Sequence, residues 1–116
     1  MFDIKQLEVI DGEPRVSDVD LARALGLSDA QLVRDIIKRC EPELKGYGTL
    51  APRWFQSAGK RSRPAVGYLL NEAQAALIAA KSGAPNAEAV RTALLEVFNE
   101  WRRGILAITR DLDRRK

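Results

Sequence analysis

Two hydrophobic periods run along this chain, and the longer one governs its second half. Val90, Leu94, Val97, Trp101, Ile105, Ile108 and Leu112 follow one another at spacings of 4, 3, 4, 4, 3 and 4, with Leu95 and Phe98 widening the stripe. Such spacing keeps one face of a helix apolar. It predicts a helix capped by Asn86 and running to about Asp111, roughly 39 Å long at 1.5 Å per residue. Upstream, Ala73, Ala76, Leu77 and Ala80 give a second helix a narrow face of small residues. Asn71 and Gln74 have the spacing of a reciprocal cap at its start. Ser82-Gly83-Ala84-Pro85 ends it with a glycine just past the last turn and a proline beyond.

The first half reads in shorter pieces. Residues 4–10 alternate loosely and predict a strand, Asp11-Gly12-Glu13-Pro14 a turn, and Arg15-Val16 a short returning strand. From Ser17 to Arg39 the pattern becomes two short helices around Gly26. Ser17 and Ser28 are placed to cap them, three residues before Asp20 and Gln31. Val19, Ala22 and Leu25 form the expected inner face of the first helix. Leu27 plugs the turn, and Leu32, Val33, Ile36 and Ile37 face inward from the second. This arrangement resembles a helix-turn-helix whose second helix reads DNA. Asp35 stands nine residues after the glycine, where that unit usually has an apolar residue, so the second helix is expected to be rotated or tilted. Glu41-Pro42 should stop it, with Glu43 to Gly48 as a loop. Thr49 to Leu70 then reads as two strands around the basic tip A-G-K-R-S-R-P, a wing. Trp54 and Phe55 put one ring on each face of the first of these strands.

Composition narrows the class. With 116 residues, 46% hydrophobic and 30% charged, the chain fits one α+β domain over 1–116. Its parts are an N-terminal hairpin (1–16), the helical pair (17–40), the wing hairpin (49–70) and the C-terminal helices (71–112). No apolar run approaches the ~20 residues that span a bilayer. The start, M-F-D-I-K-Q-L-E, has neither the basic opening nor the apolar core of a signal peptide. The expected compartment is the cytoplasm, on the nucleoid when DNA is bound. Cys40 is the sole cysteine and histidine is absent, which removes the commonest general base, zinc ligand and activator of a nucleophile. Asp18, Asp20, Asp29 and Asp35 are explained by capping and helix surface rather than by a nuclease centre. Neither an enzyme, a metal nor a cofactor is expected. Net charge is only +3, but residues 45–81 hold six basic side chains against one acidic one, Glu72. A local excess of this kind suits a phosphate-facing surface.

The segment from Gly67 to Arg103 carries a wider likeness. Tyr68-Leu69-Leu70 as a strand, Glu72 and Gln74 opening a helix, and Phe98 to Trp101 in the next helix resemble the closing block of phage regulatory and antirepressor domains of the Rha, Bro-N and KilA-N type. Val16 to Ala22 and Trp54 to Leu70 match the rest of that plan, so the likeness spans about residues 7–103. It implies a phage- or prophage-derived DNA-binding regulator. Relatives often carry a further C-terminal effector domain, so a minimal DNA-binding module is the expectation here.

The expected function is therefore sequence-specific binding of double-stranded DNA in transcription regulation. Asp29, Ala30, Gln31, Arg34 and Lys38 would face the major groove, with Gln31 suited to adenine and Arg34 to guanine. Lys60, Arg61 and Arg63 would hold phosphates, and Lys45 and Arg53 would extend that track. Trp101, Ile105, Ile108 and Leu112 would join two copies as a homodimer. No membrane and no small-molecule substrate is expected. The alternative is an antirepressor-like module that binds another regulator through the last helix.

Overall fold

A computed structural model describes residues 1–56 and 64–114, with side chains for 1–52 and 67–105. Asp11 and Gly12 both sit at positive φ, 52° and 78°. That is the geometry of a two-residue hairpin turn whose twist matches its strands, and it joins β1 (Glu8–Ile10) to β2 (Glu13–Ser17) with Ile10 opposite Glu13. Glu13 and Pro14 therefore belong to the strand, not to the turn. Before β1, residues expected as strand instead form a 3-10 turn, Ile4–Gln6. Asp3 and Gln6 cap it reciprocally, an arrangement that draws the backbone into a turn.

β2 passes straight into α1 (Asp18–Ala24), because Ser17 ends the strand and its hydroxyl accepts from the Asp20 amide at 3.1 Å. Gly26, at φ +73°, takes the chain out of α1. The Leu27 amide reaches back to the Ala22 carbonyl and the Gly26 amide to that of Arg23, a paired closure that only a left-handed residue permits without strain. α2 (Gln31–Arg39) follows. Pro42 does not open a loop. It stands in the first turn of a short α3 (Glu41–Lys45), where its missing N–H costs nothing. β3 (Ala51–Gln56) and β4 (Pro64–Leu70) pair antiparallel, Ala51 with Leu69 through Gln56 with Pro64. The sheet is antiparallel in the order β1-β2-β4-β3, so the two hairpins meet where β2 pairs with β4. α4 (Glu72–Lys81) and the long α5 (Ala87–Arg114) complete an α+β fold. No helix among the described residues is long and apolar enough to cross a membrane.

The inner faces differ in part from the expected ones. α1 buries Asp18, Leu21, Ala22 and Leu25 and leaves Val19 exposed, because Asp18 is drawn inward by partners described below. α2 buries Val33, Ile36 and Ile37 but exposes Leu32. α4 buries Gln74, Ala75, Ile78 and Ala79, while Ala73 and Ala80 face out. α5 buries Val90, Leu94, Val97 and Phe98 and exposes Leu95. Asn86 stands at the expected start of α5, where its carbonyl accepts from the Val90 amide at 3.0 Å, but its side chain does not cap the helix. Its Nδ2 donates to the Ala24 carbonyl at 2.8 Å, tying the end of α1 to the start of α5, and its buried Oδ1 has no hydrogen-bond partner.

A buried polar junction explains the rotation of α4. Asn71 and Gln74 form the expected reciprocal cap: Oδ1 of Asn71 accepts from the Gln74 amide at 2.9 Å and Oε1 of Gln74 accepts from the Asn71 amide at 3.0 Å. Gln74, fully buried, does more. Its Nε2 donates to the carbonyls of Leu44, Gly48 and Thr49, and its Oε1 also accepts from Arg15 Nη1 at 3.3 Å. Arg15 Nη1 donates to the Leu69 carbonyl at 2.9 Å, and Asn71 Nδ2 to that of Tyr47 at 2.9 Å. One amide thus joins β2, β4, α4 and the turn after α3. Gly48 passes so close that an added Cβ would lie 2.9 Å from Asn71 Nδ2, and its φ is +142°.

Gln74→Ala is expected to destabilise the protein by at least about 3 kcal/mol, since several buried groups lose partners worth roughly 1–3 kcal/mol each. Urea unfolding checks this. A loss under about 1 kcal/mol, little more than one hydrogen bond, would show that the junction is not a main support of the fold.

Candidate nucleic-acid interface

α2 begins later than expected. Gln31 is its first residue, so it stands too early in the helix to complete a cap with Ser28. Asp29 substitutes: its Oδ1 accepts from the Gln31 amide at 2.9 Å. The Gln31 side chain turns along the helix and donates from Nε2 to Asp35 Oδ1 at 3.0 Å. With Val33, Ile36 and Ile37 inside, the outward face consists of Gln31, Leu32, Asp35, Lys38 and Arg39. Ala30 is half-buried and packs on the core. Asp35, where an apolar residue was wanted, is exposed, and the inward position passes to Ile36.

Arg34 has a different placement from the others. Its Nε donates to Asp18 Oδ2 at 2.8 Å, and its side chain is only 15% exposed. The same carboxylate oxygen accepts from the Tyr68 amide at 3.1 Å. Asp18 is 1% exposed and lies in the first turn of α1, where the helix dipole favours a negative charge. One carboxylate therefore links α1, α2 and β4. This arginine, expected to read guanine, is built into the frame of the fold instead. Nothing in the spacing of Asp18 and Arg34 marked them as partners, because sixteen residues and a turn separate them.

The remaining expected contacts divide by position. Lys38 is exposed on α2. Lys45, at the end of α3, is exposed and paired with Glu41 at 3.0 Å. It lines an open groove of about 400 Å³ with Glu41, Thr49, Leu50, Pro52 and Tyr68, between α3 and the β3–β4 hairpin. Thr49 and Tyr68 were not among the expected contact residues. Arg53 lies on β3 opposite Gly67, but its side chain, like Lys60, Arg61 and Arg63 entirely, is outside the described residues. Of the expected dimer contacts, Trp101 is half-buried and Ile105 is exposed, and the side chains of Ile108 and Leu112 are outside the described set.

Charge on the outer surface of α2 and its approach is balanced: Asp29 and Asp35 offset Lys38 and Arg39. A polyanion would gain little from this helix alone, and attraction would have to come from the basic stretch 45–81. No protein-family model matches the chain, and no curated protein and no solved structure matches it either.

Arg34→Ala is expected to act on stability first. Removing one partner of a buried pair typically costs about 3–5 kcal/mol. The check is urea unfolding of Arg34→Ala, Asp18→Asn and the double variant. If the two single losses simply add, the pair is not coupled and Arg34 is free for another role.

Proposed function

We propose that the protein is a sequence-specific double-stranded DNA-binding regulator. In this proposal α1 and α2 act as a helix-turn-helix-like pair with α2 in the major groove, and β3–β4 acts as a wing on the flanking backbone. The observation that carries it is the Asp18 carboxylate, which holds Arg34 of α2 and the Tyr68 amide of β4 on a single oxygen. A reader helix and a basic hairpin fixed to one another in this way keep one register along a duplex. The residue pattern shared with phage regulatory domains of the Rha, Bro-N and KilA-N type supports the same proposal.

Roles follow from placement. Gln31, exposed at the first turn of α2, is the base-reading candidate, because a side-chain amide can pair with both N6 and N7 of adenine. Asp35 holds that amide in the unbound protein, so binding exchanges one hydrogen bond for another. Asp29 and Ala30 set the start of the helix beside the groove. Lys38, Lys45, Arg53, Lys60, Arg61 and Arg63 supply charge toward phosphates. Arg34 is left out of the reading set.

Titration of salt against affinity for a duplex pool tests the electrostatic part. Four to six phosphate contacts correspond to a log–log slope of about −4 to −5, and replacing Lys60, Arg61 and Arg63 with alanine should flatten it by about three units. An unchanged slope removes the wing from the mechanism. Gln31→Ala should cost about 1–3 kcal/mol on a selected site and much less on random DNA. Equal losses on both would mean that Gln31 only touches backbone. If charge reversal at Arg61 leaves biological activity intact, the protein acts instead by binding another regulator.

A further inference from the structure

The buried residues of α2 fix which of its side chains meet a surface laid against it. Val33, Ile36 and Ile37 face the core. At about 100° per residue, Gln31, Asp35 and Lys38 fall on the opposite side, within roughly 60° of one another. All three are exposed. Leu32 and Arg39 stand on one flank of this row, and Arg34, drawn onto Asp18, stands on the other. Asp35 is the middle member of the row, one turn beyond Gln31 and about 6 Å along the axis at 1.5 Å per residue. It is also the residue that stands where a helix-turn-helix usually has an apolar side chain.

A carboxylate in that place has a cost and a narrow set of partners. Its charge has the sign of the phosphates, so it weakens attraction to every duplex. It accepts hydrogen bonds and donates none. In the unbound protein it accepts from Gln31 Nε2 at 3.0 Å. When Gln31 turns to an adenine, that donor leaves. In the major groove guanine offers N7 and O6 and thymine offers O4, all of them acceptors that a carboxylate cannot pair with. Donors come from the amino groups of adenine and cytosine. Adenine sets its N7 acceptor beside the amino group, whereas cytosine presents its N4 amino group by itself.

We infer that Asp35 is a second base-reading residue of α2: its carboxylate accepts from the N4 amino group of a cytosine near the adenine read by Gln31. This rests on the reading of α2 as the major-groove helix. Asp35 then selects against sequences as much as for one. Its repulsion falls on every duplex, and the hydrogen bond that offsets it forms on a duplex with the cytosine in place. The ratio of specific to random binding rises although attraction in general is weakened.

Selection from a pool of random duplexes, run with the wild type and with Asp35→Asn, tests this. Asparagine keeps the size of the side chain and Asp35 is exposed, so the fold should be kept, which circular dichroism checks. Wild-type sites should share a cytosine, and exchanging that C·G pair for T·A should weaken wild-type binding roughly 5- to 140-fold. Asp35→Asn should lose the cytosine preference, keep the adenine preference and bind random duplexes several-fold more tightly. Asp29→Asn makes the same change in charge with a side chain that still caps, and it should leave the cytosine preference in place. Loss of the preference in both variants would trace it to net charge and overturn the inference. If Asp35→Asn keeps the preference, or weakens binding to selected and random duplexes alike, the inference is overturned and the DNA-binding reading stands. If the wild type selects no sequence at all, both fall together.

Discussion

The side-chain amide of Gln74 holds positions that no other group in the protein could hold at once. The Leu44 carbonyl of α3 and the Gly48 and Thr49 carbonyls of the segment after it point at its nitrogen, and an arginine and a helix-start amide point at its oxygen. A buried carbonyl without a donor is costly, and a turn that approaches the core brings several. Gln74 satisfies them from a position fixed by its own capping partner, Asn71, so capping and turn closure are one structure. Arg15 adds the sheet to it through the Leu69 carbonyl. The Leu44 carbonyl also accepts from the Tyr47 amide, but a fully apolar alternative at this position would remove the side-chain donor from the Gly48 and Thr49 carbonyls and the acceptor from the Asn71 amide, and this explains why a polar residue occupies the core face of α4.

The Asp18 carboxylate does for the first half of the chain what Gln74 does for the second. A charge at 1% exposure is tolerated because an arginine, a backbone amide and a helix start all face it. Buried pairs add little to net stability against an apolar replacement, but they are exacting in direction. The practical consequence is relative placement: α2 cannot shift against β4 without breaking a 2.8 Å contact. That is the property a two-part DNA-binding surface would require.

Local signals with a steric cause were legible in the sequence. Asp11-Gly12 and Gly26 adopt the left-handed conformations their residue types suggested, and Asn71 with Gln74 forms the reciprocal cap. Both hairpins and the long helix lie where the periodicity placed them. What was not legible depended on partners distant in sequence. Val19 and Leu32 are as apolar as their buried neighbours, yet the inner faces of α1 and α2 are set by Asp18 and Arg34, polar residues that periodicity assigns to solvent. α4 turned for the same reason, around Gln74. Pro42 fits a helix end and a helix start equally well, and only the burial of Leu44 beneath the next turn selected the start. For the candidate interface, Gln31 and Lys38 were found correctly as outward residues of α2, whereas Arg34 could not be separated from them by spacing alone.

The distribution of charge bears on how the proposed DNA-binding surface would divide its work. Asp29 and Asp35 offset Lys38 and Arg39 on and beside the outward face of α2, so in the proposed function long-range attraction to a polyanion would have to come from the basic stretch 45–81. Short-range discrimination can still reside on α2, since neutral amides choose between base edges without adding non-specific affinity. At the other end, Arg102 pairs with Glu72 and ties α5 to the first residue of α4.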